Sequence, residues 1–169
     1  LLEVARAAIA EQSDVSLNAI AKRADVGVGT LYRHFPTRED LIFAVYRQEV
    51  RQLAHAADEL LATTEPLQAF RLWLDRMAGY AMTKAGLVDA LRAATAHTRF
   101  AQEAYGPVSE ALTKLLDANK AAGNIQADVT VDDVLLAVAG LYQLDPAGDW
   151  QPRVKRLFDV VIAGFRDHG

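Results

Sequence analysis

Nine consecutive residues, Gly27-Val28-Gly29-Thr30-Leu31-Tyr32-Arg33-His34-Phe35, gather the groups of this chain best suited to meet a polyanion. Gly29 has no Cβ, so a helix beginning there lets its backbone come close to another molecule. Thr30, Tyr32 and His34 add hydroxyl and imidazole donors of the kind that hold phosphate oxygens, and Arg38 adds a charge at the start of the next segment. Leu31 and Phe35 stand one helical turn apart and read as core. Each polar residue also has an ordinary reading: Tyr32 as a half-buried core tyrosine, His34 as a surface histidine, Arg33 as a solvated one.

The charge distribution agrees with a local contact to nucleic acid. The whole chain of 169 residues carries a formal net charge of −4, yet residues 16–38 hold Lys22, Arg23, Arg33 and Arg38 against Asp25 alone. Lys and Arg supply most of the non-specific affinity for DNA, so a small, concentrated surplus is the relevant quantity. Chemistry of other kinds finds little support. Cysteine is absent, which removes disulfides, thiolate metal sites and cysteine nucleophiles. His34, His55, His97 and His168 are scattered without metal-ligand spacing, and no phosphate-cradling glycine loop or Ser-His-Asp arrangement is present. Asp132-Asp133 and Asp58-Glu59 pair carboxylates, but each sits where a helix face or first turn favours negative charge. The expectation is a protein that is not an enzyme, with no cofactor and no metal.

The elements that must position these groups are helical. About half of the residues are apolar, with only ten Gly and five Pro, the composition of an all-α bundle. No run approaches the roughly 18 apolar residues that cross a membrane, so a cytoplasmic protein without a membrane partner is expected. The chain opens at Leu1 already inside a helical pattern, which leaves room for a basic arm before it. Leu2, Ala5, Ala8 and Ile9 trace a first short helix; Ser16 caps a second over 17–24; a third runs over 28–34 until Pro36 stops it. Thr37 and Asp40 form a capping box that opens a long fourth helix, with Leu41, Ile42, Val45, Tyr46, Leu53, Leu60 and Leu61 on its apolar face. Pro66 starts a fifth, expected to end at Gly86, then a short helix over 87–96 and a longer one closing at Gly123. Thr130 and Asp133 open a helix expected to reach Leu144, and Asp149 is expected to cap the last. The count is about nine helices, arranged as a three-helix head on a helical-bundle body.

Two short helices joined by a tight turn fit a helix-turn-helix. Residues 16–41, reading SLNAIAKRADVGVGTLYRHFPTREDL, resemble the DNA-binding signature of TetR-family regulators: a hydroxyl cap, Ile20-Ala21, a turn at Ala24-Asp25-Val26, Gly29 to Phe35, then Arg38 and Leu41. Asp25 stands where that family usually has Gly, and Gly27 where a Ser or Thr cap is usual. The resemblance implies a DNA-binding domain over 1–45 and a ligand-binding and dimerisation domain over 46–169. It implies phosphate contacts from Ser16, Tyr32, His34 and Arg38, and groove or base contacts from Asn18, Val28, Thr30 and Arg33, with Gly29 at the close approach. Val28 suits a thymine methyl and Arg33 suits guanine.

The same resemblance implies an effector pocket among Phe70, Trp73, Met77, Tyr80, His97, Phe100 and Tyr105, which otherwise read as ordinary core. It also implies a homodimer built by the last two helices, with Leu135, Val138, Tyr142, Val154, Leu157, Phe158, Val161, Ile162 and Phe165 at the interface. The function so implied is a ligand-responsive regulator, a repressor released from a palindromic operator on double-stranded DNA by a small, mainly apolar effector. The alternative is a helical small-molecule-binding or protein-interaction module with weak or lost DNA binding, for which Asp25 and the acidic balance are the motivating features.

Overall fold

Helix signals in the chain are realised as local hydrogen bonds in a computed structural model that describes residues 1–91, 96–145 and 147–166, with the side chains of residues 89–91, 96, 97 and 142 outside that description. Eight α-helices and one 3₁₀ segment account for the regular structure among the described residues: α1 Leu2–Glu11, α2 Leu17–Arg23, α3 Val28–His34, α4 Arg38–Thr63, α5 Pro66–Leu91, α6 Ala96–Ala121, α7 Val131–Val138 followed by the 3₁₀ segment Ala139–Gln143, and α8 Gln151–Phe165. Packing divides the chain into two compact units, Leu1–Glu49 with Thr83–Ala104, and Val50–Met82 with Tyr105–Gly169.

In the first unit, α1, α2 and α3 pack on one another through residues spaced at helical intervals. Ala5, Ala8 and Ile9 of α1, Leu17, Ile20 and Ala21 of α2 and Leu31 of α3 are all buried. Ser16 begins α2 by accepting a 3.2 Å hydrogen bond from the Ala19 amide. The expected box at Thr37 and Asp40 is present: the Asp40 carboxylate accepts from the Thr37 amide at 3.0 Å, and the Thr37 hydroxyl accepts from the Asp40 amide at 3.1 Å. Two orphan donors at the start of α4 are thereby satisfied. Leu41, Ile42, Val45 and Tyr46 then face inward, and Phe100 of α6 joins them.

The second unit is built around Trp73, Phe70, Leu74, Leu112, Leu115, Val134 and Phe158, all fully buried. The Trp73 indole donates to the Leu53 carbonyl at 2.8 Å, so its one polar atom enters the core satisfied. Asn119 is buried as well and knots the ends of two helices, donating at 2.8 Å to the carbonyls of both Pro66 and Leu115 while its own oxygen accepts from Asn124 at 3.3 Å. Gly123, at φ +70°, closes α6 as expected.

Three boundaries differ from the sequence expectations. Gly86 lies inside α5, which continues to Leu91 and takes in the first residues of the short helix expected over 87–96, while Ala96 already belongs to α6; buried Leu87 and Val88 hold the turn that a glycine alone weakens by about 1 kcal/mol. The helix expected to run unbroken to Leu144 is α at first and tightens to 3₁₀ from Ala139, where Gly140 offers little support for the wider turn. Trp150, not Asp149, occupies the N-cap of α8; no side chain caps it, and Pro152 in the first turn removes an amide that would have lacked a partner.

Candidate nucleic-acid interface

Of the seven residues of α3, only Leu31 is buried. The helix is therefore anchored by one inward side chain and by the flanking Phe35, and presents the rest of its surface outward. Val28 and Tyr32 are each 43 % exposed, and Gly29, Thr30, Arg33 and His34 are exposed as well. Ser16 and Asn18 at the start of α2 are also exposed. The Ser16 oxygen already accepts from the Ala19 amide, which leaves its hydroxyl proton free to donate outward. Eight of the nine expected DNA-contacting residues thus stand at the solvent.

Arg38 is the exception. It is half-buried, and its guanidinium donates to the Val15 carbonyl at 3.3 Å and to the Ser13 carbonyl, tying the start of α4 to the loop before α2. Arg23 is similarly engaged: it forms a bidentate pair with Glu11 at 2.5 and 2.7 Å. That hydrogen-bonded contact pushes the Glu11 carboxyl below its ordinary range and the Arg23 guanidinium above its own. Lys22 and Arg33 remain the exposed cations of this stretch that make no ion pair with a described residue.

Gly29 has no internal reason to be glycine. A Cβ placed on it would meet no atom within 4 Å, and its φ is not positive. A helical glycine costs about 1 kcal/mol relative to alanine, so the fold gains nothing from this residue and a partner that comes close to the helix would. The turn before α3 is held by Asp25 at φ 53°, the αL conformation that asparagine, aspartate and glycine adopt with least strain. Gly27 serves as the N-cap of α3 without a side-chain hydrogen bond.

The expected effector residues fall in both units. Phe70, Trp73, Met77 and Tyr80 are buried on α5 in the second unit, whereas Phe100 is buried in the first, stacked on Tyr46 and edge-on to Phe43. Tyr105 is 57 % exposed, and its hydroxyl donates to Asp132 at 3.3 Å, so it covers surface rather than core. The His97 side chain lies outside the described residues. Lys84 is a titratable group the sequence pattern did not single out: it is buried in the first unit, and burial pushes its pKa down. Trp150, Arg153 and Arg156 line a surface cavity of about 550 Å³ in the second unit, and a Trp followed by two arginines one turn apart was the available signal.

The expected interface residues divide by direction. Val138, Val154, Phe158 and Ile162 are buried in the protomer itself, while Leu135, Leu157, Val161 and Phe165 are half-buried; the Tyr142 side chain lies outside the described residues. The strongest apolar periodicity of α8 therefore marks its inward face. Its outward stripe is formed by Leu157, Val160, Val161 and Gly164, and among the described residues Val160 at 70 % and Leu136 of α7 at 78 % are the most exposed large apolar ones, both missed in the sequence.

Among the described residues, no group of three or more His, Cys, Asp or Glu is placed to hold a metal ion, and no helix is long and apolar enough to cross a membrane. An all-helical chain whose third helix is anchored by one leucine and otherwise free has the build of a helix-turn-helix protein. Residues 1–45 match the family described as bacterial regulatory proteins, tetR family, and residues 65–167 match the C-terminal domain of SbtR-like transcriptional regulators. The chain belongs to the TetR family of transcriptional regulators. Among solved structures it is similar to the TetR transcriptional regulator SCO0520 from Streptomyces coelicolor, at 37 % identity over 100 % of both chains with a TM-score of 0.84. A TetR regulatory protein from Mycobacterium vanbaalenii is 34 % identical, over 98 % of this chain and 92 % of that one, with a TM-score of 0.75. The HTH-type transcriptional regulator SAB2452 of Staphylococcus aureus is 29 % identical over 96 residues, 54 % of this chain and 50 % of that protein. The chain spans about half the length of the curated relatives it matches.

Proposed function

We propose that this chain is a ligand-responsive repressor that binds a palindromic operator as a homodimer and leaves it when a small, mainly apolar effector is bound. The observation that carries the reading is α3, whose polar face and internally unexplained Gly29 are left open to a partner. In this reading residues 1–45 bind DNA. Tyr32, His34 and Ser16 hold phosphates, and Val28, Asn18, Thr30 and Arg33 meet bases or the groove wall. Arg38 acts chiefly by fixing the start of α4 to the loop before α2, with its remaining charge directed at the backbone.

Residues 46–169 supply effector binding and dimerisation. Aromatic and sulfur side chains on α5, with Phe70, Trp73, Met77 and Tyr80, favour an apolar effector. Dimerisation uses the outward faces of α7 and α8, Leu136, Leu157, Val160 and Val161, supported from beneath by Val154, Phe158 and Ile162. Two heads then meet half-sites about 34–36 Å apart. Effector binding tilts α4, changes the separation of the heads and lowers operator affinity, and the coupling is reciprocal: DNA weakens effector binding by the same factor.

Selection of bound duplexes from a random pool tests this function. The expected product is an enriched two-fold symmetric sequence with half-sites one helical turn, or a multiple of it, apart. A pool that shows no enrichment over successive rounds contradicts the proposal.

A further inference from the structure

The turn between α2 and α3 contains a residue that costs the fold twice. The Val26 amide donates to the Ala21 carbonyl at 3.0 Å and the Asp25 amide to the Lys22 carbonyl at 3.3 Å, a Schellman ending with Asp25 at the left-handed position. The same bond pattern ends α6, where the Asn124 amide donates to Asn119 at 2.9 Å and the Gly123 amide to Lys120 at 3.0 Å, with a glycine at φ +70°. In α2 an aspartate takes the glycine's place and accepts the strain of φ 53°. It also sets a negative charge at a helix C-terminus, where the partial charge is already negative and a cation is favoured.

Among the described residues no side chain offsets that charge. Asp25 is exposed, and its carboxylate makes no hydrogen bond or ion pair with any described residue. Arg23, two positions earlier, is held by Glu11. A strained, unpartnered charge at an exposed turn points outward to what the turn faces. It stands three residues before Val28, at the entrance to α3.

We propose that Asp25 limits DNA affinity: its exposed carboxylate, in the turn that leads into α3, repels the phosphate backbone and keeps the binding of each head weak. This rests on the DNA-reading role proposed for α2 and α3. Lys22 and Arg33 are the exposed, unpaired cations nearby, so a single carboxylate offsets a large share of the local positive charge. Weak heads make binding depend on both copies of a dimer engaging together, which suits release by a change in their separation.

The test is a salt titration of binding to a mixed-sequence duplex of about 40 base pairs, read by fluorescence anisotropy, for the parent, Asp25→Asn, Asp25→Gly and Asp25→Glu. Asp25→Asn and Asp25→Gly are expected to bind about three- to tenfold more tightly at low salt, with a steeper loss of affinity as salt rises, while Asp25→Glu follows the parent. Asp25→Gly is also expected to raise Tm by relieving the backbone, which separates strain from charge. Parent-like affinity of Asp25→Asn overturns the proposal. Weaker binding of Asp25→Asn overturns it too and assigns the carboxylate to a base amine instead. If neither parent nor variants bind duplex at low salt, the DNA-reading function itself fails and this inference falls with it.

Discussion

Tyr46 of α4 lies flat on Phe100 of α6, with ring centroids 3.9 Å apart and planes inclined by 12°, and its hydroxyl donates to the Phe100 carbonyl. Phe43 meets the same ring edge-on at 4.9 Å, and the Arg99 guanidinium covers the Phe43 ring at 3.6 Å. The start of α6 is thereby fastened to α4, the helix that follows α3. Phe100→Ala is expected to destabilise the protein by about 3–5 kcal/mol, and Tyr46→Phe, which keeps the stack and loses one buried hydrogen bond, by about 1 kcal/mol. Urea unfolding of both variants checks the ranking; equal losses contradict it.

Gly29→Ala should separate stability from binding. The added methyl meets no atom of the protein, so α3 gains up to about 1 kcal/mol in helix propensity and Tm rises. In the proposed function the same methyl stands where the helix meets DNA, and affinity is expected to fall about tenfold or more. A variant that is more stable and binds DNA as tightly as the parent would remove the close approach from the account.

The outward and inward faces of the last helix predict opposite phenotypes. Val160→Glu, and likewise Leu136→Glu, is expected to give a folded monomer in sedimentation equilibrium with unchanged helical circular dichroism. Val154→Glu places an unpaired charge in the core and is expected to unfold the chain. A dimer that survives both outward substitutions would place the interface elsewhere.

Acid should weaken the starts of α4 and α7. Thr37 lowers the pKa of Asp40 through hydrogen bonds from its hydroxyl and its amide, and Thr130 does the same for Asp133. A carboxylate depressed in the folded state contributes stability that is full above its unfolded pKa and is lost as pH falls through the folded value. Glu49 behaves in the opposite sense: burial raises its pKa, against the lowering effect of Arg6, so its contribution diminishes as pH rises through the carboxylate range. Asp40→Asn and Asp133→Asn are therefore expected to flatten the acid limb of the stability profile, and Glu49→Gln to steepen it. Thermal melts between acid and neutral pH provide the readout.

Much of the head was legible because its signals are local. A serine cap, a Thr-x-x-Asp box and an apolar interval of three or four residues each act within one turn, and Ser16, Thr37 and Leu31 behave as their neighbours dictate. Arg38 was less legible, since its partners Val15 and Ser13 are carbonyls more than twenty positions away and no side-chain pattern announces them. On α8 the periodicity of Val154, Phe158 and Ile162 correctly marked burial, but burial against the protomer's own core. Sequence spacing shows that a face is covered without showing by what, and only the exposed Val160 and Leu136 reveal the surface left over. Gly86 misled for a similar reason, because packing from Leu87 and Val88 overrides a weak local helix former.

The central claim, that α3 reads DNA, is tested most directly by the duplex affinity of Tyr32→Ala with Arg33→Ala beside the parent across a salt series. Both side chains are exposed and neither bonds to a described residue, so the double variant is expected to fold with the parent's Tm. The account predicts affinity at least about tenfold weaker and a shallower salt dependence. A folded double variant that binds its selected duplex with parental affinity and parental salt dependence would contradict it.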